Sequence, residues 1–285
     1  MSDIQTALRE TARKLLEEGT VTCVIGWGET RFPDKTIPLF VKRPEDAGKL
    51  VWNEHCVSGL AKYMLDYRYP EGKLAICVRG CDSRAVNRIV EDKQYNREDL
   101  YLIGLPCEGK DAPICATCAH RNPVTYDVLL GELVKEIEVP AAERFKSVTE
   151  LEGLTSEEQY DYWQKQFSKC IHCYACRNAC PMCVCRDYCV AESRDPHWMT
   201  QEDSVREKLY FQTIHALHLA GRCTGCGECQ RACPVGIPIL ALRQQIGRAV
   251  SQLFDGYKAG MDPEAVPPLL GYELEEKNIH EREWK

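Results

Sequence analysis

Alternating apolar and polar positions divide the chain into a first half of short strands and helices and a second half of helices separated by cysteine-rich loops. Ser2 and Gln5 have capping-box spacing, Ile4, Leu8, Ala12 and Leu15 recur on one helical face, and Gly19 is placed to end that helix. Residues 21–26 and 37–41 read as strands. Between them, Gly26-Trp27-Gly28 is half of a dinucleotide fingerprint; without a third glycine and a following helix it reads as an ordinary turn. Residues 44–67 predict a helix with Leu60, Ala61 and Met64 on its apolar side, 73–78 a strand, 83–92 a helix and 100–104 a strand. Such β-α-β alternation predicts a mostly parallel sheet with helices against it, and ligands collect at the carboxyl ends of its strands.

Beyond Tyr126 the pattern changes. Residues 127–138 read as ordered, Val139-Pro140 and the charged residues 143–158 as a linker, which puts a domain boundary near residue 150. Ser156 and Gln159 are placed to cap a helix on which Tyr160, Trp163 and Phe167 share a face, a pattern of core packing rather than a cofactor stack. A further helix runs from Ser204, with Glu207 completing a capping box, to a stop at Gly221. His215 and His218 lie on one side of it. Histidines so placed are more often structural or solvent-facing than ligands, and neither is assigned a role. The last helix starts at Pro238 and carries Ile239, Leu242, Ile246 and Leu253 on one face; the tail after Tyr272 reads as a docking strap or a disordered segment.

The chemistry lies in the cysteines. Cys170, Cys173, Cys176 and Cys180 are spaced C-x2-C-x2-C-x3-C and followed by Pro181; Cys223, Cys226, Cys229 and Cys233 repeat the spacing, followed by Pro234. This is the two-cluster ferredoxin pattern, in which the fourth cysteine of each run ligates the other cluster. It assigns one 4Fe-4S cluster to Cys170, Cys173, Cys176 and Cys233, and another to Cys223, Cys226, Cys229 and Cys180. Zinc knuckles favour paired ligands across longer loops, and disulfides need an oxidising compartment. Cys183, Cys185 and Cys189 follow the first run; a further metal and free thiols lining the core are equally open readings.

Cysteines also mark the predicted strand ends of the first half, in Arg79-Gly80-Cys81-Asp82 and Pro106-Cys107-Glu108-Gly109, with Cys115 and Cys118 in a C-x2-C loop just beyond. Converging, Cys81, Cys107, Cys115 and Cys118 could hold a third 4Fe-4S cluster, with Cys77 and Cys56 in reserve. Zinc and buried free thiols are the other readings. Cys23, inside a strand, reads as core. The predicted fold is an α/β N-terminal domain over 1–150 with a mostly parallel sheet, and a mainly α-helical dicluster ferredoxin-like domain over 151–285 with a C-terminal helix and tail.

Composition narrows the function classes. The 285 residues are 44% hydrophobic, as in a globular protein, and the formal charge of -7 leaves no basic stripe for nucleic acid. Eighteen cysteines without a signal peptide or an apolar run of membrane-spanning length point to metal-bound thiolates in a cytoplasmic protein. No nucleophile-base pair, paired carboxylates or phosphate loop stands out.

Residues 170–189 and the stretch from Ala220-Gly221-Arg222-Cys223 to Ile237-Pro238 resemble the ferredoxin part of the beta subunits of deazaflavin-dependent (coenzyme F420) formate dehydrogenases and hydrogenases. Residues 73–128, with Gly80-Cys81-Asp82, Gly104-Leu105-Pro106-Cys107 and Asn122-Pro123, resemble the other domain of that family. The resemblance implies an α/β domain with FAD and a 4Fe-4S cluster, for which Cys81, Cys107, Cys115 and Cys118 are the nearest positions. It also implies electron exchange between a deazaflavin coenzyme and a catalytic subunit. Together these point to an iron-sulfur electron-transfer subunit of an anaerobic oxidoreductase complex, with catalytic and electron-accepting subunits as partners. The alternative is a flavin-containing beta subunit that itself oxidises or reduces a deazaflavin or nicotinamide coenzyme.

Overall fold

The computed structural model describes residues 3–66, 72–185, 189, 200, 202–268, 270 and 271. A mixed, mostly parallel sheet forms the N-terminal part, and a helix-rich region follows. Helix α1 (Asp3–Glu17) buries Leu8, Ala12 and Leu15 and leads through Gly19 into β1 (Val21–Glu29), β2 (Thr36–Val41), the 3-10 segment Pro44–Lys49 and β3 (Leu50–Val51). Helix α2 (Ala61–Asp66), β4 (Lys73–Val78), α3 (Gly80–Glu91), β5 (Leu100–Gly104), the short α4 (Pro113–Ala116) and β6 (Val128–Leu129) complete the first half. The strand order is β2-β1-β4-β5-β6, with β3 pairing the end of β1. Pairs β1-β4, β4-β5 and β5-β6 are parallel, and β2 and β3 join β1 antiparallel. This arrangement sets the carboxyl ends of β4 and β5 side by side, with Val78 opposite Gly104.

Several local expectations change here. Residues 44–67 are not one helix, because Leu50 and Val51 pair with Gly28 and Trp27, and loop follows until Ala61. Gly26-Trp27-Gly28 is interior strand rather than a turn. A Cβ at Gly26 would come within 2.5 Å of Leu50 Cδ2, so glycine is what lets β3 close on β1. Ser2, the expected cap of α1, lies outside the described residues, and Gln5 Oε1 accepts the Trp52 N–H at 2.9 Å.

The charged stretch expected as a linker is helical: α5 (Ala141–Arg144), α6 (Lys146–Glu152) and α7 (Ser156–Phe167), with Val148 and Leu151 of α6 buried. Helix α7 is capped by Thr155 and Glu158, one residue before the predicted pair. Its Trp163 and Phe167 are buried and stacked, and Tyr160 is exposed. Then come α8 (Ala175–Asn178), α9 (Val205–Leu217), α10 (Glu228–Arg231) and α11 (Ile239–Leu253). Ser204 Oγ caps α9 by accepting the Glu207 N–H. The tail after Tyr272 lies outside the described residues.

Two apolar cores result, one around the sheet and one around α7, α9 and α11. The first includes Cys180, Met182 and Leu219 from the second half of the chain, and Ile114 packs against the second. Polar ties also cross between the halves. Arg84 Nη2 donates to Ala259 O at 3.0 Å, Asn87 Nδ2 to Gly260 O at 3.0 Å, and Arg222 Nη2 meets Asp92 Oδ2 at 2.6 Å. Among the described residues no helix is long and apolar enough to cross a membrane.

Candidate metal centres

The turn after β4 is held by a buried ion pair. Arg79 Nε lies 2.6 Å from Asp82 Oδ2, Arg79 Nη1 and Nη2 donate to Cys56 O and Ser58 O, and Asp82 Oδ1 accepts the Leu60 N–H. The pair pins the 56–60 loop to the start of α3 and fixes Cys81 in the helix's first turn. Gly80 has its own constraint: a Cβ there would run into His120 O, so only glycine lets the 118–122 segment close over the turn. Cys107 follows β5, its N–H bonded to Arg121 O at 2.9 Å; Cys115 lies in α4; the Cys118 N–H bonds to Cys115 O, and its Sγ lies 3.4 Å from His120 O.

These four thiols share one neighbourhood. Burial pushes the Cys81 thiol up, opposed by Arg79, and Cys107 and Cys118 are among its neighbours. Cys115 is likewise pushed up by burial, with Cys107, Arg79 and Cys118 beside it. Cys56 and Cys77 stay apart from this set as fully buried core thiols that burial pushes up; Cys56 Sγ is engaged by the Asn53 N–H at 3.4 Å. Cys23 is also fully buried, pushed up to about 12 by desolvation.

In the second half, the two cysteine loops share a backbone shape. His172 and Tyr174 have φ of 51° and 55°, and Gly225 and Gly227 at the equivalent places have 70° and 78°. Left-handed residues after the first and second cysteines wrap the loop so that its thiols face inward. Cys170, Cys173, Cys176 and Cys233 line one small cavity with Phe211 and Ile237. Cys180 lies instead among the other loop's thiols, acting on Cys223, Cys226 and Cys229, all pushed up by burial, Cys229 to about 12. The two groupings each mix three cysteines of one loop with the last of the other. Four soft sulfur donors in each grouping make donor sets that suit iron-sulfur clusters.

Cys183, Cys185 and Cys189 separate. Cys183 Sγ lies 2.9 Å from His215 Nε2, Cys185 is exposed with its carbonyl accepting Arg177 Nη2, and Cys189 packs against the second core. Ligand atoms of Cys180, Cys183 and His215 all lie within 4.8 Å of one another. The Cys183 hydrogen bond holds the Cys180 thiol well below its usual range, with His215 and Arg243 adding to the effect. His215 is buried, whereas its helical neighbour His218 is exposed. Sequence reasoning missed His215 and Arg243 as parts of this site. The available signal was an arginine on the inward stripe of α11, one turn from Ile239.

Eight cysteines in two repeated loops, within the helix-rich region that follows a mostly parallel sheet, have the pattern of a dicluster iron-sulfur domain. Residues 166–237 match the 4Fe-4S dicluster domain family. Over most of its length the chain is distantly similar to two formate dehydrogenase subunits. One is the F420-dependent formate dehydrogenase subunit beta of Methanocaldococcus jannaschii, 22% identical over 83% of this chain and 86% of the relative. The other is the F420-dependent formate dehydrogenase 1 subunit beta of Methanococcus maripaludis, 22% identical over 90% of each. The sulfhydrogenase 2 subunit beta of Pyrococcus furiosus is 26% identical over 36% of this chain and 39% of its own length.

Proposed function

We propose that this chain is the electron-transfer subunit of a multi-subunit oxidoreductase, relaying electrons between a catalytic subunit of the formate dehydrogenase or hydrogenase type and a redox partner. Cys170, Cys173, Cys176 and Cys233 hold one 4Fe-4S cluster in this reading, Cys180, Cys223, Cys226 and Cys229 a second, and Cys81, Cys107, Cys115 and Cys118 a third. Such clusters take up and release single electrons; the chain's part is to hold them in fixed positions. One observation carries the proposal: Cys81, Cys115 and Cys118 line the same cavity as Cys223 and Cys226. Thiols from the two halves that share one space suit a continuous route. The similarity to beta subunits of formate dehydrogenases supports the same role.

A flavin-bearing subunit that oxidises or reduces a deazaflavin or nicotinamide coenzyme is the second reading, favoured by the size of that cavity. Its volume of about 1000 Å³, with Arg84, Arg144 and Arg231 on its walls, is large enough for a cofactor beside a cluster. Anaerobic purification from the native source, with partner identification and iron, zinc and flavin analysis of one sample, separates the two. Iron and sulfide without flavin supports the relay. Stoichiometric flavin with donor-dependent cluster reduction supports the second reading, and zinc in place of iron defeats both.

A further inference from the structure

The helical half contains a charged chain that the ligand assignments leave unused. Helix α11 turns Arg243 inward, where it is 2% exposed. Sulfurs of Cys229, Cys180, Cys223 and Cys176 stand near it, three from the second proposed cluster and one from the first. Arg243 Nη2 lies 2.7 Å from His215 Nδ1. A guanidinium only donates, and the same Nη2 is 3.4 Å from Nε2, so the nearer Nδ1 is taken as the acceptor and the neutral imidazole then carries its proton on Nε2. That nitrogen is the one 2.9 Å from Cys183 Sγ. Three such ligand atoms within 4.8 Å of one another have the spacing of a single-ion site. A ring nitrogen that carries a proton, however, has no lone pair for a metal. Arg243 therefore makes His215 a hydrogen-bond donor to sulfur.

We propose that Arg243, His215 and Cys183 form a polar relay that reaches the Cys180 sulfur, which lies within 4.8 Å of the Cys183 and His215 ligand atoms, and that this relay raises the reduction potential of the cluster held by Cys180, Cys223, Cys226 and Cys229. The inference rests on the reading of Cys180 as a ligand of that cluster. Reduction adds negative charge, which hydrogen bonds to the ligand sulfur and a nearby cation both stabilise, and hydrogen bonding to sulfur is a recognised determinant of cluster potential. Burial strengthens each effect, because little water is present to screen it. Arg243 Nε has no hydrogen-bond partner among the described residues, a buried donor amid four sulfurs that cluster acceptors would satisfy. Arg243 and His215 are thus positioning residues that act through Cys180 and Cys183.

The test is a redox titration of the full-length chain, isolated anaerobically and followed by electron paramagnetic resonance, with iron and zinc counted on the same samples. Arg243→Gln and His215→Leu should keep wild-type iron and shift the second cluster to lower potential by at least tenfold in its one-electron equilibrium, about 59 mV. Arg243→Lys, which keeps the charge, should recover most of the shift, and Cys183→Ala should lower only the second cluster. If Arg243→Gln fails to fold, His215→Leu and Cys183→Ala carry the test. Unchanged potentials at full iron content overturn the relay. So does loss of metal from His215→Leu or Cys183→Ala, which would make these residues ligands rather than donors. Failure of the underlying reading looks different: Cys180→Ala would then leave every iron signal of the wild-type chain in place.

Discussion

Cys23 and Cys77 lie inside strands β1 and β4 among apolar side chains, and burial pushes both thiols up. Cys81 and Cys180 differ because other thiols and a guanidinium stand beside them. Replacing Cys180 by Ala should remove the signal of the cluster held by the second loop, and Cys233→Ala that of the cluster held by the first. Iron analysis and magnetic resonance spectra check this, and loss confined to the mutated loop's own cluster would refute the crossed assignment. Gly80 supplies a second test. Because a methyl group at this position would collide with His120 O, Gly80→Ala should destabilise the fold by roughly 1–3 kcal/mol in chemical denaturation and lower iron retention in the first half. The eight cysteines of the repeated loops were legible from spacing alone. His215 was visible only as one of two histidines on a helix, since nothing in its local sequence says that Arg243, a distant residue in the chain, will stand 2.7 Å from its Nδ1.

Elements with strong local signals formed where periodicity placed them. Strands β4 and β5 coincide with the expected 73–78 and 100–104, and α11 begins directly after Pro238. The misread stretch, 44–67, had helix-compatible apolar spacing, but the cross-strand pairing of Leu50 and Val51 with β1 overrode it. Capping gives the cleanest test at this scale. Thr155 Oγ1 accepts the Glu158 N–H while Glu158 Oε2 accepts the Thr155 N–H at 2.8 Å, so both ends of the box are made. Thr155→Ala should cost about 1 kcal/mol in denaturant unfolding, with cluster content unchanged.

For the whole molecule, the large cavity is bounded by both halves, and the sheet core incorporates Cys180, Met182 and Leu219. Cutting the chain near residue 150 would expose these packed surfaces, so cluster counts belong on the full chain. The three proposed clusters would amount to about twelve iron atoms per chain, and Cys115→Ala should reduce that by about four while both ferredoxin-type signals persist. Full iron retention in that variant, measured by colorimetric iron analysis, would remove the first half from the proposed route. The sequence by itself determined the loop pattern, because a C-x2-C-x2-C-x3-C-P run sets its cysteine spacing within a few residues, and it determined the α/β alternation through local periodicity. Only the tertiary structure decided which thiols share a space, that a glycine pair belongs to a strand, and that Arg243 and His215 stand beside Cys180. Those facts depend on contacts between residues far apart in the chain, whose pairing is set by how the two cores pack rather than by any local pattern.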